Sequence, residues 1–314
     1  MRWRSPHLLQ LLLWITLLIC TAASSGFTIC SYNVQRFTIN KAKSYKVIHT
    51  LTRVLSRCDL ALLQHVVDPD GKAIAALLKS LNRATDRYDD FSYKSVASKA
   101  LGTSAEDMQK YVFIYRVETV NVTGQDQYKG KQKFVRPPFA IQVQSNKTAI
   151  KSFILVPLHS DPDQAAQEID WLYDVFLEVS KKWNNKNVMF LGDFHAACAY
   201  VTRTTRKSIR LYKNSNFSWL IGDKVDTTVS EDTNCAYDRI VVHGEPFLKT
   251  IQPFSAGVFD VGKEFKLTKN KVLELSDHHP LKVVLKSSAL FLRATPPWLL
   301  LSLSLVLRSL LFAL

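Results

Sequence analysis

Short apolar or β-branched runs recur along residues 26–286, and this rhythm constrains the fold more than any other feature of the chain. The runs cover 27–34, 60–66, 111–117, 139–143, 152–158, 188–192, 239–242 and 281–285. Each has the length of a buried strand rather than of a helix. Amphipathic stretches lie between them. In 44–55, Val47, Ile48, Leu51, Val54 and Leu55 share one helical face. Segments 73–81 and 163–183 repeat the pattern, the second with Ile169, Leu172, Tyr173, Phe176 and Val179. Several strands follow one another directly, so the order predicts an α/β sandwich and not a doubly wound nucleotide fold. The chain has only 10 glycines and shows no glycine-rich phosphate loop, no internal repeat and no Gly/Ser/Pro linker across the body. One domain over 26–286 is expected.

The two ends differ from this body. Arg2 and Arg4, an apolar run over 8–20 and small residues over 22–25 have the layout of a secretory signal peptide. The run is shorter than the roughly 20 residues that span a bilayer. At the other end, 299–314 is almost wholly apolar and follows Ser287, Ser288, Ala289 and a spacer with Pro296 and Pro297. That is the layout of a GPI-attachment signal, with a tail anchor as the competing reading. The expected division is a signal peptide at 1–25, the body at 26–286 and an apolar tail at 287–314. The product would pass through the endoplasmic reticulum lumen to the cell surface, GPI-anchored or secreted.

Charge then carries information. Four arginines (Arg2, Arg4, Arg293, Arg308) and no acid leave with the ends, so the 41 basic and 27 acidic residues become 37 against 27. A surplus of that size suits a polyanionic partner. A hydrophobic share of 47% excludes a disordered chain, and a charged share of 22% argues against a coiled coil. Cys20 leaves with the signal, and Cys30, Cys58, Cys198 and Cys235 allow three pairings. Cys198 and Cys235 bracket a polar, loop-like stretch and are the first choice for a disulfide. Cys30 and Cys58 sit at the edges of two strand-like runs, where free buried cysteines also belong, and their state stays open. Asn121, Asn146 and Asn216 begin N-x-S/T sequons.

Polar residues gather where the apolar runs stop. Asn33 follows the first run, Gln64 and His65 close the second, and His159 ends the fifth. Asp193, Phe194 and His195 follow the sixth, Tyr237 and Asp238 open the seventh, and Ser276, Asp277 and His278 open the last. Strand ends along one edge of a sandwich are where a rigid scaffold presents reactive side chains. Each site alone is more often a turn residue or a cap. Their accumulation, rich in His, Asp and Asn, points to a reactive edge.

These strings resemble the deoxyribonuclease I family. The resemblance rests on Cys30-Ser31-Tyr32-Asn33-Val34-Gln35-Arg36, Val156-Pro157-Leu158-His159, Leu172-Tyr173-Asp174-Val175, Leu191-Gly192-Asp193-Phe194, Asn234-Cys235-Ala236-Tyr237-Asp238-Arg239 and Ser276-Asp277-His278. It covers essentially the whole body in order. The apolar tail and Leu177-Glu178-Val179-Ser180 make it most similar to the membrane-anchored, deoxyribonuclease I-like 1 branch. The resemblance implies a four-layer α/β sandwich of the endonuclease/exonuclease/phosphatase type, acting as a monomer that cuts DNA with Mg²⁺ and is assisted by Ca²⁺. It implies His159 and His278 as the catalytic imidazoles, Asp238 as the partner of His278, and Gln109 in the partner position for His159. Asn33, His65, Asp193 and Asp277 take the metal positions, and Arg136 and His195 the phosphate positions. It also implies the Cys198–Cys235 disulfide and a Ca²⁺ loop at Asp226, Thr228 and Thr233.

The departures fall inside that site. His65 stands where the family has a glutamate that binds Mg²⁺, His195 stands for an asparagine, and Gln109 for a glutamate. Val67 replaces an arginine, and the tyrosine expected ahead of Gln109 is absent. Glu106, in a longer preceding loop, is the candidate to supply the missing carboxylate. Imidazole in place of carboxylate removes a negative charge and installs a donor that Mg²⁺ disfavours. The expectation is therefore an endonuclease of reduced activity. The alternatives are a catalytically silent DNA-binding protein, or an enzyme in which His65, His195 and Asp193 suit Mn²⁺ or Zn²⁺.

Overall fold

The computed structural model describes residues 26–85 and 91–288. The expected signal peptide and nearly all of the expected attachment signal lie outside the described residues. One six-stranded sheet runs in the order β11 (Gly257–Val258), β12 (Leu281–Leu285), β1 (Phe27–Phe37), β2 (Leu60–Val66), β4 (Lys110–Arg116), β3 (Tyr93–Ala97). The other runs β5 (Asn121–Gln127), β6 (Phe139–Gln144), β7 (Ser152–Pro157), β8 (Val188–Asp193), β10 (Asp238–His243), β9 (Phe217–Trp219).

Alternation along the strands decides the layers. Phe27 and Ile29 of β1, Leu60 and Leu62 of β2 and Phe153 and Leu155 of β7 fill the space between the sheets. The intervening Cys30, Tyr32 and Val34 turn to the outer helices α1 (Tyr45–Leu55) and α2 (Lys72–Thr85). On the far face, Ile154, Val156, Val188 and Phe190 meet Ile169, Leu172 and Val179 of α3 (Ala165–Lys182). Three apolar layers thus separate helix, sheet, sheet and helix, which is the four-layer α/β sandwich. The helix start before α2 is satisfied by Asp68, whose carboxylate oxygens accept from Ala73 N and Ile74 N at 3.0 and 2.9 Å.

The strands missing from the sequence reading are β3, β5, β9 and β11, and all four are sheet edges. An edge strand buries least and so carries the weakest apolar pattern. β5, with the sequence NVTGQDQ, has no fully buried residue.

One point that the sequence leaves open is decided here. Cys30 and Cys58 are joined in a disulfide with Cα atoms 6.0 Å apart, rather than being free. Cys30 turns to the outer helical layer, where Cys58 follows the end of α1 with its N–H on Leu55 O at 3.0 Å, and the bridge ties β1 to that turn. Cys198 and Cys235 form the second disulfide, also with Cα atoms 6.0 Å apart.

Each sheet is centred on a parallel pair, β1–β2 and β7–β8, flanked by antiparallel partners. The ends of the parallel strands therefore lie beside the starts of β12 and β10, and Asp238 faces Asp193 across the ladder. Topology alone gathers residues from six strands on one edge.

Candidate active site

Gln64 joins the two sheets at this edge. Fully buried, it donates from Nε2 to Leu158 O at 2.6 Å and accepts from Asp193 N at 2.9 Å. Gly192 lies against it with φ +133°, and a Cβ there would meet Gln64 Nε2 at 2.3 Å, so only glycine fits. Beyond Gln64 the β1–β2 and β2–β4 registers shift. His65 adopts a left-handed φ of 59° at the shift. Its ring comes 5.2 Å from that of His159.

Asp193 is the centre. It is fully buried. Oδ2 accepts from Asn33 Nδ2 at 3.0 Å, and Oδ1 accepts from His195 N at 3.2 Å. Three imidazole nitrogens surround the carboxylate: His159 Nε2 at 3.7 Å, His278 Nε2 at 3.6 Å and His195 Nδ1 at 3.4 Å. Burial alone would raise the Asp193 carboxyl, but His195, His278 and His159 outweigh it and hold it well below the usual carboxylate range.

The two flanking histidines have different partners. His278 Nδ1 lies 2.7 Å from Asp238 Oδ2, and its backbone N–H donates to Ser276 Oγ at 3.0 Å. Burial pushes His278 down, yet Asp238 and Asp193 more than offset it and carry its pKa up to about 10. His159 Nδ1 instead lies 2.6 Å from the neutral Gln109 Oε1. Burial, with Arg136 and two other histidines nearby, keeps His159 well below its ordinary value despite Asp193. His65 is lowered to about 4, first by burial and then by Arg136 and Arg36.

Most of the expected site residues therefore converge on Asp193, directly or through one partner. Asp277 stands at the rim, 3.9 Å from His278 Nε2. Arg136 sits behind His159 rather than in the open cleft. It is buried, with Nε on His159 O at 2.9 Å, Nη2 on Ser160 O at 2.8 Å and Nη1 at 3.0 Å from both oxygens of Asp107. Glu106 does not supply the missing carboxylate. Its side chain is exposed, and its backbone oxygen accepts from Arg36 Nη1 at 3.2 Å. Sequence reasoning missed Asp107, which lies in an unpatterned loop; its one signal was its position two residues before Gln109. Tyr111 was read only as strand, yet its hydroxyl accepts from His159 N at 2.9 Å and donates to Arg136 O at 3.0 Å.

Away from the centre, Asp226 Oδ1 accepts from Thr228 N, Thr228 Oγ1 and Cys235 N at 2.9, 2.8 and 3.2 Å. Thr228 Oγ1 and Thr233 Oγ1 are 2.7 Å apart. Asn121, Asn146 and Asn216 are all exposed.

Asp193, Asp238 and His278 have ligand atoms mutually within 4.8 Å, a grouping that could hold a metal ion. The donor set supports a divalent cation. Asp193 uses two of its roughly four acceptor positions on protein donors, and Asn33 Oδ1 and Asp277 add further hard oxygens. Among the described residues the grouping of Asp193, Asp238 and His278 does not include His65 or His195, although His195 Nδ1 lies 3.4 Å from Asp193 Oδ1.

Residues 30–278 match the Endonuclease/Exonuclease/phosphatase family. Deoxyribonuclease gamma of Rattus norvegicus is 38% identical over 292 residues, covering 91% of this chain and 92% of that protein. Deoxyribonuclease-1-like 1 of Homo sapiens is 40% identical over 273 residues, covering 86% and 88%. Among solved structures, an endonuclease/exonuclease/phosphatase family protein from Leptotrichia buccalis superposes with a TM-score of 0.58 at 13% identity, over 83% of this chain and 99% of that one. That likeness concerns the fold.

Proposed function

We infer that this chain, which belongs to the deoxyribonuclease I group of the Endonuclease/Exonuclease/phosphatase family, is an endonuclease that hydrolyses phosphodiester bonds of DNA with metal assistance and reduced activity. The observation that carries this reading is the pair of imidazoles around Asp193, one held by an amide and the other by a carboxylate. Phosphodiester hydrolysis needs a base for the attacking water, an acid for the leaving oxygen and positive charge against the phosphorus. His159, hydrogen-bonded through Nδ1 to a neutral oxygen, keeps a lone pair on Nε2 and takes the proton of the water. His278, paired with Asp238 as an imidazolium, donates its Nε2 proton to the leaving oxygen. A divalent ion held by Asn33, Asp193 and Asp277, with His65 beside it, supplies the positive charge when bound.

The reduction follows from three positions. Gln109 orients His159 but cannot stabilise the imidazolium that forms during the reaction, and His65 and His195 place nitrogen where oxygen suits Mg²⁺. Arg136 is already paired with Asp107, so its contact to a phosphate requires that pair to open. A structural Ca²⁺ at Asp226, Thr228 and Thr233 is part of the same reading. So are glycosylation at Asn121, Asn146 and Asn216, a monomeric state, removal of 1–25 and a GPI anchor replacing the tail.

No helix among the described residues is long and apolar enough to cross a membrane. Two disulfides suit an oxidising compartment. Release from cells by phosphatidylinositol-specific phospholipase C tests the anchor. Plasmid nicking across Mg²⁺, Mn²⁺ and Zn²⁺, beside a DNA-binding measurement, tests the activity. Binding without nicking under every ion would favour the silent DNA-binding protein instead.

A further inference from the structure

We propose that Asp107 is a positioning residue that sets the tautomer of His159 by holding the Gln109 amide in one orientation. The proposal rests on the nuclease reading above and adds to it a residue outside the expected site. The Gln109 side chain is nearly symmetrical in shape but not in hydrogen bonding, because its oxygen only accepts and its nitrogen only donates. Nε2 lies 3.3 Å from Asp107 Oδ1, and Oε1 lies 2.6 Å from His159 Nδ1. A carboxylate has no proton to give, so the nitrogen must face Asp107 and the oxygen must face the imidazole. His159 Nδ1 then carries its hydrogen, and Nε2 keeps the lone pair that a base needs. With the amide reversed, an N–H would point at Nδ1, the ring proton would move to Nε2 and the base would be lost.

Arg136 closes the arrangement into a ring. Its Nη1 lies 3.0 Å from both Asp107 oxygens, and its Nε donates to the carbonyl of His159 itself. Asp107 Oδ1 thus faces two donors, Arg136 and Gln109. An asparagine can keep its oxygen on both donors only with its amide nitrogen against Arg136 Nη1, so it holds Gln109 less firmly than the carboxylate and also admits the reversed orientation.

The test is a set of four full-length proteins assayed for nicking in Mn²⁺: wild type, Asp107→Asn, Gln109→Glu and the double variant. In the wild-type background Asp107→Asn should lower kcat about tenfold or more, with KM changed less than about twofold. In the Gln109→Glu background the effect should reverse in sign. A glutamate accepts from His159 without help, and Asp107 beside it is then only a like charge. Glu106→Gln, in the same loop, should change nothing.

Loss in both backgrounds would overturn the proposal in favour of a scaffold role. A rise in both, with lower KM, would mean that Asp107 only blocks Arg136. Histidine ¹⁵N shifts of the metal-free full-length wild type give a readout independent of activity. His159 should be protonated on Nδ1, and Asp107→Asn should move part of that population to Nε2. A wild-type His159 protonated on Nε2 would also overturn the proposal. If none of the four proteins cuts DNA, the nuclease reading fails while the ¹⁵N shifts still decide the tautomer.

Discussion

His159 and His278 direct their Nε2 atoms at the same carboxylate oxygen, Asp193 Oδ2, from 3.7 and 3.6 Å. Their far nitrogens meet opposite chemistry, an amide oxygen at 2.6 Å and a carboxylate oxygen at 2.7 Å. Two identical side chains are thereby biased toward different protonation states, which general acid–base catalysis requires. The bias costs stability unless the pairs stay intact, so it is open to measurement.

The His278–Asp238 pair should make stability depend on pH on the alkaline side. The His278 pKa is raised from 6.5 to about 10, so its contribution is complete below about pH 6.5 and is lost as pH rises toward 10. In chelating buffer the melting temperature of the wild type should fall through this window. His278→Gln should start lower and stay flatter. A wild-type profile that is flat from pH 7 to 10 would contradict the ion pair.

Both disulfides should be present in the native protein. Their sequence separations of 28 and 37 residues correspond to about 3–4 kcal/mol each in the chain-entropy picture. Peptide mapping without reduction should recover Cys30 linked to Cys58 and Cys198 linked to Cys235. The Cys30→Ser/Cys58→Ser variant should be less stable by up to about that amount. Alkylation of Cys58 in the native, unreduced protein would contradict the bridge.

The central strands, the three long helices and most of the converging site residues were legible because buried strands and amphipathic helices carry strong periodicity. Reactive residues also cluster where those patterns stop. The edge strands β5 and β9 were not legible, since little of their surface needs to be apolar. The Cys30–Cys58 bridge depends on how the end of α1 packs on β1, which sequence does not display. Asp107 and the amide orientation of Gln109 become visible only when the loop, Arg136 and His159 are seen together.

Restoring oxygen donors and the missing charge should raise Mg²⁺-dependent cleavage. The triple variant His65→Glu, Gln109→Glu, His195→Asn should nick plasmid in Mg²⁺ at least about a hundredfold faster than wild type. Single replacements should recover much less, because the groups act as a unit. Nicking kinetics across the series decide this, and equal gains from each single change would count against a shared site.

The most direct measurement is the initial nicking rate of purified wild-type protein in Mn²⁺ and in Mg²⁺, beside His159→Ala and His278→Ala prepared identically. The expected result is metal-dependent cleavage that is slower in Mg²⁺ than in Mn²⁺ and falls by at least about a hundredfold in either alanine variant. Cleavage that survives both substitutions, or DNA binding with no cleavage under either ion, would contradict catalysis by this pair of histidines around Asp193.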